Sequence, residues 1–244
     1  MAKQTADEIS TEMILSHLRA HLNEQRPVTL YNTYQGVPIT FEAEVAMIHP
    51  AYVGLIVHPY QAVCIKEERR TYIESKTLPS LVRAYPVSID YTNQVVMLKR
   101  LKIPKSITPD LFNSWVAPEK SVRVEISADN MEDLTVKMIE IAVLEENQIH
   151  VAVSVPEDAP FDRLDVVHLA FKLDSKSELT QVQGVVHSLT KIRGMDCKRL
   201  EVSGKATMGD EITILAYVAK REDQILAELD KAYQKLRRGK SRKK

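Results

Sequence analysis

The sequence predicts a mainly β protein: two small antiparallel β-barrel domains, with an N-terminal helix and a long C-terminal helix. Three observations predict it. Short runs of alternating apolar and polar residues recur from Val28 to Val202, the period of a half-buried strand. A stretch with two prolines and no period, Ile103-Pro104-Lys105-Ser106-Ile107-Thr108-Pro109-Asp110, divides those runs into two sets. Before the first set and after the second, apolar residues recur at helical spacing instead.

The first element reads as a helix because Ile9, Met13, Leu15, Leu18 and Leu22 recur at spacings near three and four. Asp7 or Ser10 could cap it, and Pro27 biases Arg26 away from helix, so it should end near residues 23–25. Val28 and Leu30 open the strands. Val37, Ile39, Phe41 and Val45 follow, then Val53, Leu55 and Val57, then the apolar run Ala62-Val63-Cys64-Ile65, then 71–73, 82–89 and 95–98. Pro50, Pro59, Pro79 and Pro86 punctuate them. Many short strands at close spacing suggest a barrel or sandwich.

The second set repeats the style. Val122, Val124 and Ile126 form one strand; Leu134, Val136 and Met138 the next. Ile149, Val151, Val153 and Val155 give the clearest period of two. Strands at 166–173, 179–189 and 198–202 follow, with Gly184 expected at a bulge or bend. Six such strands can close a small barrel. From Asp210 to Arg238 the chain reads as one helix, its apolar face marked by Leu215, Val218, Ile225, Leu229, Tyr233 and Leu236. About 28 residues at roughly 1.5 Å each exceed what one small barrel needs. Ile225, Leu229, Tyr233 and Leu236 are therefore expected to stay partly exposed as an interface, for self-association or docking; folding back on the first domain is the alternative. The domains divide as 1–26 (helix), 27–103 (first barrel), 104–118 (linker), 119–238 (second barrel with its helix) and 239–244 (basic tail).

Composition narrows the function classes. Lys+Arg and Asp+Glu balance at 33 each, so the bulk of the chain does not advertise nucleic-acid or membrane binding. Cys64 and Cys197 stand alone, which fits a reducing compartment. The N-terminus lacks a signal-peptide core, and no stretch approaches the roughly 20 apolar residues of a membrane span. The expectation is a cytoplasmic protein.

Around Trp115-Val116-Ala117-Pro118, leading into Val122, Val124 and Ile126, the chain resembles the approach to a PilZ domain: two arginines with three residues between them, then Val-x-Pro and a first strand. The arginine positions fall on Leu111 and Trp115. The family's Asp-x-Ser-x-x-Gly turn falls on 140–145, where Glu140, Ala142 and Glu145 replace aspartate, serine and glycine. The barrel followed by a helix fits the same resemblance, and the preceding barrel fits the two-domain flagellar-brake layout. The resemblance implies a bacterial protein of cyclic di-GMP signalling whose ligand site is lost. Arginine suits two phosphates and two guanines by forked hydrogen bonds and stacking. Leu111 brings no charge, Trp115 can only stack, and Glu140 and Glu145 set negative charge beside a dianion. Arg69, Arg70 and Arg123 are the arginines that could serve instead.

No Gly-x-Ser-x-Gly, Walker loop or Gly-x-Gly-x-x-Gly occurs, so no catalytic residue is assigned and an enzyme is the least favoured class. His17 and His21 share a helix face without a completing ligand, so no metal is assigned and both read as surface histidines. His150 and His168 read as exposed strand residues. Cys197 has cationic neighbours but no adjacent histidine. The tail 237–244 carries six cations and reads as disordered. The sequence thus points to a noncatalytic regulator or adaptor without a cofactor, acting through protein contacts. The resemblance suggests flagellar or type IV pilus machinery or a signalling enzyme as partner, with homo-oligomers also open. The alternatives are a cyclic di-GMP receptor with a different site, and a nucleic-acid-binding barrel that uses the tail.

Overall fold

In the computed structural model, residues 11–107, 111–129, 131–144, 148–175 and 177–241 are described. Two closed six-stranded antiparallel barrels carry the chain. By contacts it divides into two compact units: one of Met1–Tyr34, Pro38–Phe112 and Leu226–Lys244, the other of Gln35–Val37 and Asn113–Ile225.

The first unit begins with helix α1 (Thr11–Glu24), which buries Ile14, Leu15, Leu18 and His21. Met13, expected on that face, is 40% exposed. The helix ends with Gln25 at positive φ and the Arg26 N–H on the His21 carbonyl, a backbone closure available just before Pro27. Its barrel runs β1 (Val28–Tyr34), β2 (Val37–His49), β3 (Tyr52–Ile56), β6 (Val95–Lys102), β5 (Val82–Asp90), β4 (Thr71–Glu74) and back to β1. Alternate residues of β1 fill the core, among them Val28 and Leu30.

One expected strand is a helix. Ala62-Val63-Cys64-Ile65 lies inside α2 (Pro59–Glu68). A short apolar run does not separate buried strand from buried helix; the flanks decide. Pro59 stands at the first helical position, the His58 imidazole accepts the Tyr60 N–H at 3.3 Å, and Arg69 closes the helix at φ 57°. The helix is tied to β1 by buried and half-buried polar groups. Gln61 Nε2 donates to Asn32 Oδ1 at 2.7 Å, and Glu68 accepts from Asn32 Nδ2 at 2.6 Å, from the Thr33 N–H at 2.9 Å and from the Thr33 hydroxyl.

The second barrel runs β7 (Arg123–Ala128), β8 (Leu134–Val143), β9 (Ile149–Pro156), β12 (Cys197–Ala206), β11 (Thr180–Lys191), β10 (Val166–Phe171) and back to β7. Gly184 is not a bulge. It pairs directly with Gly204, where a Cβ would meet the facing strand at 2.6–2.7 Å; the register shift lies further on, between Val186 and Ser188.

Helix α3 spans Met208–Ser241. The start of the basic tail, Arg237 and Arg238, is thus helical rather than irregular; residues 242–244 lie outside the described part. The expected exposure of its apolar stripe is not met. Ile225 and Leu229 are fully buried, Tyr233 is 8% exposed, and Leu236 packs on the core of the first barrel. The first unit claims the helix from Leu226 on, where Tyr60 Oη donates to Asp230 Oδ1 at 3.1 Å. The stripe is therefore core. The large apolar residues of the helix left exposed are Met208, Ile212 and Leu215 in the first turns and Leu226 further along.

Candidate functional site

The expected ligand positions fall partly on the outer face of β8. Ile139 is an extra residue between Met138 and Glu140, where the β8–β9 register shifts. After it, Ile141 points into the core, fully buried, and Glu140 and Ala142 share the other face. Pairing completes the surface. Glu140 faces Ala152 on β9, which faces Glu201 on β12; Ala142 faces His150, which faces Ser203. One step along, Lys137 faces Ser154, which faces Arg199.

Trp115 covers this surface. The backbone of Val116 exchanges two 3.0 Å hydrogen bonds with Ile141, so the chain before the barrel is bonded to β8. The Trp115 N–H donates to the Gly36 carbonyl at 2.9 Å. The indole, 9% exposed, packs on the fully buried Ala142 and Ala152, with Ile139 and Leu144 beside them. Small residues are needed there because a large flat ring lies against the sheet. The indole N–H is buried without a partner among the described residues.

Charge is arranged around the ring. The Arg199 guanidinium lies 5.6 Å from its centroid, within cation–π range. Arg199 Nη2 meets Glu140 Oε2 and its Nε meets Glu201 Oε1, both at 2.7 Å. Ser188 Oγ also donates to Glu201, at 2.7 Å. The His150 ring stands edge-on to Trp115, centroids 5.7 Å apart, with Nε2 3.3 Å from Ser203 Oγ. Burial, then the charge of His187, holds His150 below its ordinary value despite Glu201. Burial pushes Glu201 up, but the hydrogen bonds from Ser188 and Arg199 outweigh it and leave it below the usual carboxylate value. Burial lowers Arg199, and Glu201 and Glu140 more than restore it. One cation and two carboxylates thus satisfy one another on this face. His150, expected to be exposed, is half-buried here.

The other expected residues lie elsewhere. Leu111 is buried with Tyr72 and Leu81 in the first unit. Glu145 lies outside the described residues. Arg69 caps α2, and Arg70 lies 5.7 Å from the Tyr72 ring; both belong to the first unit, whereas Arg123 starts β7 in the second. His21, expected at the surface, is buried and spans the Arg26 carbonyl (3.2 Å) and the Thr77 hydroxyl (2.9 Å). Among the described residues no group of three or more metal-ligating side chains gathers. Burial pushes the Cys64 thiol well up. Sequence reasoning missed Arg199, Glu201, Ser188 and Ser203 as parts of the site. Their strands alternate visibly, but which rung faces Glu140 follows only from the pairing of β8, β9 and β12.

No family profile matches the sequence, and no curated protein matches it. Among solved structures the chain is similar to the Bacillus subtilis inhibitor of motility MotI/DgrA: 12% identity, 81% of this chain and 96% of that one, TM-score 0.41. It is similar to Escherichia coli YcgR in complex with c-di-GMP: 9% identity, 95% and 99% coverage, TM-score 0.41. It is similar to K. pneumoniae MrkH with c-di-GMP: 11% identity, 93% and 98% coverage, TM-score 0.38. These are PilZ-domain proteins.

Proposed function

We propose that this chain is a noncatalytic regulatory module of PilZ type. Its nucleotide-facing surface is closed by its own side chains, and it acts through contacts with other proteins. The observation that carries the reading is the Glu140–Arg199–Glu201 cluster beside Trp115, with both carboxylates 2.7 Å from the one guanidinium. A cyclic dinucleotide brings two negative charges. It would meet a cluster whose formal sum is already negative and whose arginine is already engaged, and would have to displace a buried indole from Ala142 and Ala152. Each of these terms opposes binding. The partner class suggested by the sequence resemblance is motility or second-messenger machinery.

Calorimetric titration with cyclic di-GMP is expected to give no saturable heat at micromolar concentrations. Replacing Leu111 and Trp115 together by arginine is expected not to create it, because Glu140 and Ala142 stay in place. A saturable wild-type signal that vanishes in Arg199→Gln would overturn the reading. Affinity capture from native cells, with and without the dinucleotide, should recover the same motility or signalling component both times.

A further inference from the structure

The strongest unassigned feature is a row of positive charge on the outer surface of the second barrel, running from the end of β10 across β7 to β8. The β10–β7 ladder closes on the Phe171–Val124 pair, both buried. Lys172, just past the end of β10, and Arg123, the first residue of β7, adjoin that pair, and both are exposed. On its other side Arg123 pairs directly with Lys137 of β8, also exposed. Three adjacent strands thus present Lys172, Arg123 and Lys137 side by side. Like charges directly opposite on neighbouring strands are destabilising. Among the described residues none of the three has an ion pair. That arrangement lacks an internal rationale, and a bound anion supplies one.

A cleft of about 850 Å³ opens beside the row, within the roughly 300–1,000 Å³ of small-molecule sites. Lys120, Arg123, Lys172, Lys220 and Arg221 line it, against the carboxylates Glu119, Glu125 and Asp174. Five cations against three anions leave the cleft positive in a chain whose net charge is zero. Arg221 is fixed in place, its Nε on the Ala117 carbonyl at 3.1 Å and Nη1 on Gln224 Oε1 at 3.3 Å. The lysines reach in from the loop before β7, from the end of β10 and from α3. The half-buried Tyr217 and the exposed Leu179 add an apolar wall.

We infer that this cleft binds a small phosphorylated ligand of the nucleoside polyphosphate class, with the phosphates on Arg123, Lys172, Lys120 and Lys220 and the base or sugar against Tyr217 and Leu179. The cleft shares no lining residue with the Trp115 cluster, so the inference stands whether or not the proposed function holds. Arginine's forked donors and the lysines' point charges are the groups that recognise phosphate, and a cation wall beside an aromatic matches a body with an anionic tail.

Calorimetry on the full chain with adenosine triphosphate, guanosine triphosphate and inorganic pyrophosphate tests it. At least one nucleoside triphosphate should bind saturably and weaken as salt rises. Arg123→Gln with Lys172→Gln should weaken binding at least tenfold while the melting temperature of the free protein holds or rises, because the substitutions relieve repulsion. Should that double variant not fold, Lys220→Gln alone is expected to weaken binding several-fold. Pyrophosphate that competes supports recognition of the phosphates; a requirement for the nucleoside supports the apolar wall as well. No saturable binding of any probe at millimolar concentration overturns the inference. So does binding indifferent to the substitutions, or tighter binding of a single-stranded oligonucleotide than of any triphosphate.

Discussion

At the scale of single residues, the side chain with the largest expected effect is Trp115. Replacing a buried tryptophan by alanine costs about 3–5 kcal/mol, and denaturant unfolding of Trp115→Ala should show a loss of that order. Trp115→Phe should cost much less, since the indole N–H has no partner to lose. A melting temperature unchanged in Trp115→Ala would mean that the ring is not buried in solution. Gly36 is constrained from the other direction. It sits at φ +84° after Gln35 at φ 48°, the two central positions of a hairpin turn that needs positive φ at both. A Cβ there would lie 1.8 Å from the Trp115 carbonyl oxygen. Gly36→Ala should therefore cost more than the roughly 1–2 kcal/mol of left-handed strain alone. Acid should act on the same face. His150 is held below its ordinary 6.5 and Glu201 below its ordinary 4.5. In both cases the unfolded chain takes up the proton first. The stability each group contributes is therefore complete above the unfolded value and is lost as pH falls through the folded one. Stability should decline on acidification from about pH 6.5, and His150→Gln should flatten the upper part of that decline. A wild type equally stable at pH 7 and pH 5 would refute it. The sequence made Trp115, Glu140 and Ala142 visible because they are near one another in the chain or sit at motif positions. Arg199 was visible only as a charge near Cys197, because the bulge at Ile139 and the β9–β12 register decide what it faces.

Among elements, the strands were legible because alternation is a local property: each barrel strand buries one face, and the pattern reports it. Residues 62–65 were not, because burial of Val63, Cys64 and Ile65 removes the alternation and leaves the flanking Pro59 and Arg69 as the only signal. The C-terminal helix was legible in extent but not in environment. Its stripe could not say whether a partner or the chain's own barrel covers it. Since Ile225 and Leu229 are fully buried, Leu229→Ala should cost about 2–5 kcal/mol, read by thermal or denaturant unfolding. Truncation after Glu222 should destabilise the first barrel, which loses Leu236 from its core and Asp230 from Tyr60. A truncated chain that melts like the full one would return the stripe to solvent.

For the whole molecule, formal neutrality and a pI near 7.1 predict colloidal behaviour: a chain without net charge repels its copies least. Light scattering should find association strongest near pH 7 and weakest a unit or two to either side; a minimum at neutrality would contradict this. Barrel closure constrains partners in a different way. Every strand of both barrels has a hydrogen-bonded neighbour on each side, so among the described residues no whole strand is left as a free edge. Partners that recognise a sheet by adding a strand of their own need such an edge. Selectivity must then come from side chains, loops and the exposed first turns of α3, all of which can drift one residue at a time while the backbone stays fixed. A scaffold of that sort can exchange one binding specificity for another by point substitution, with its hydrogen-bonded frame left untouched.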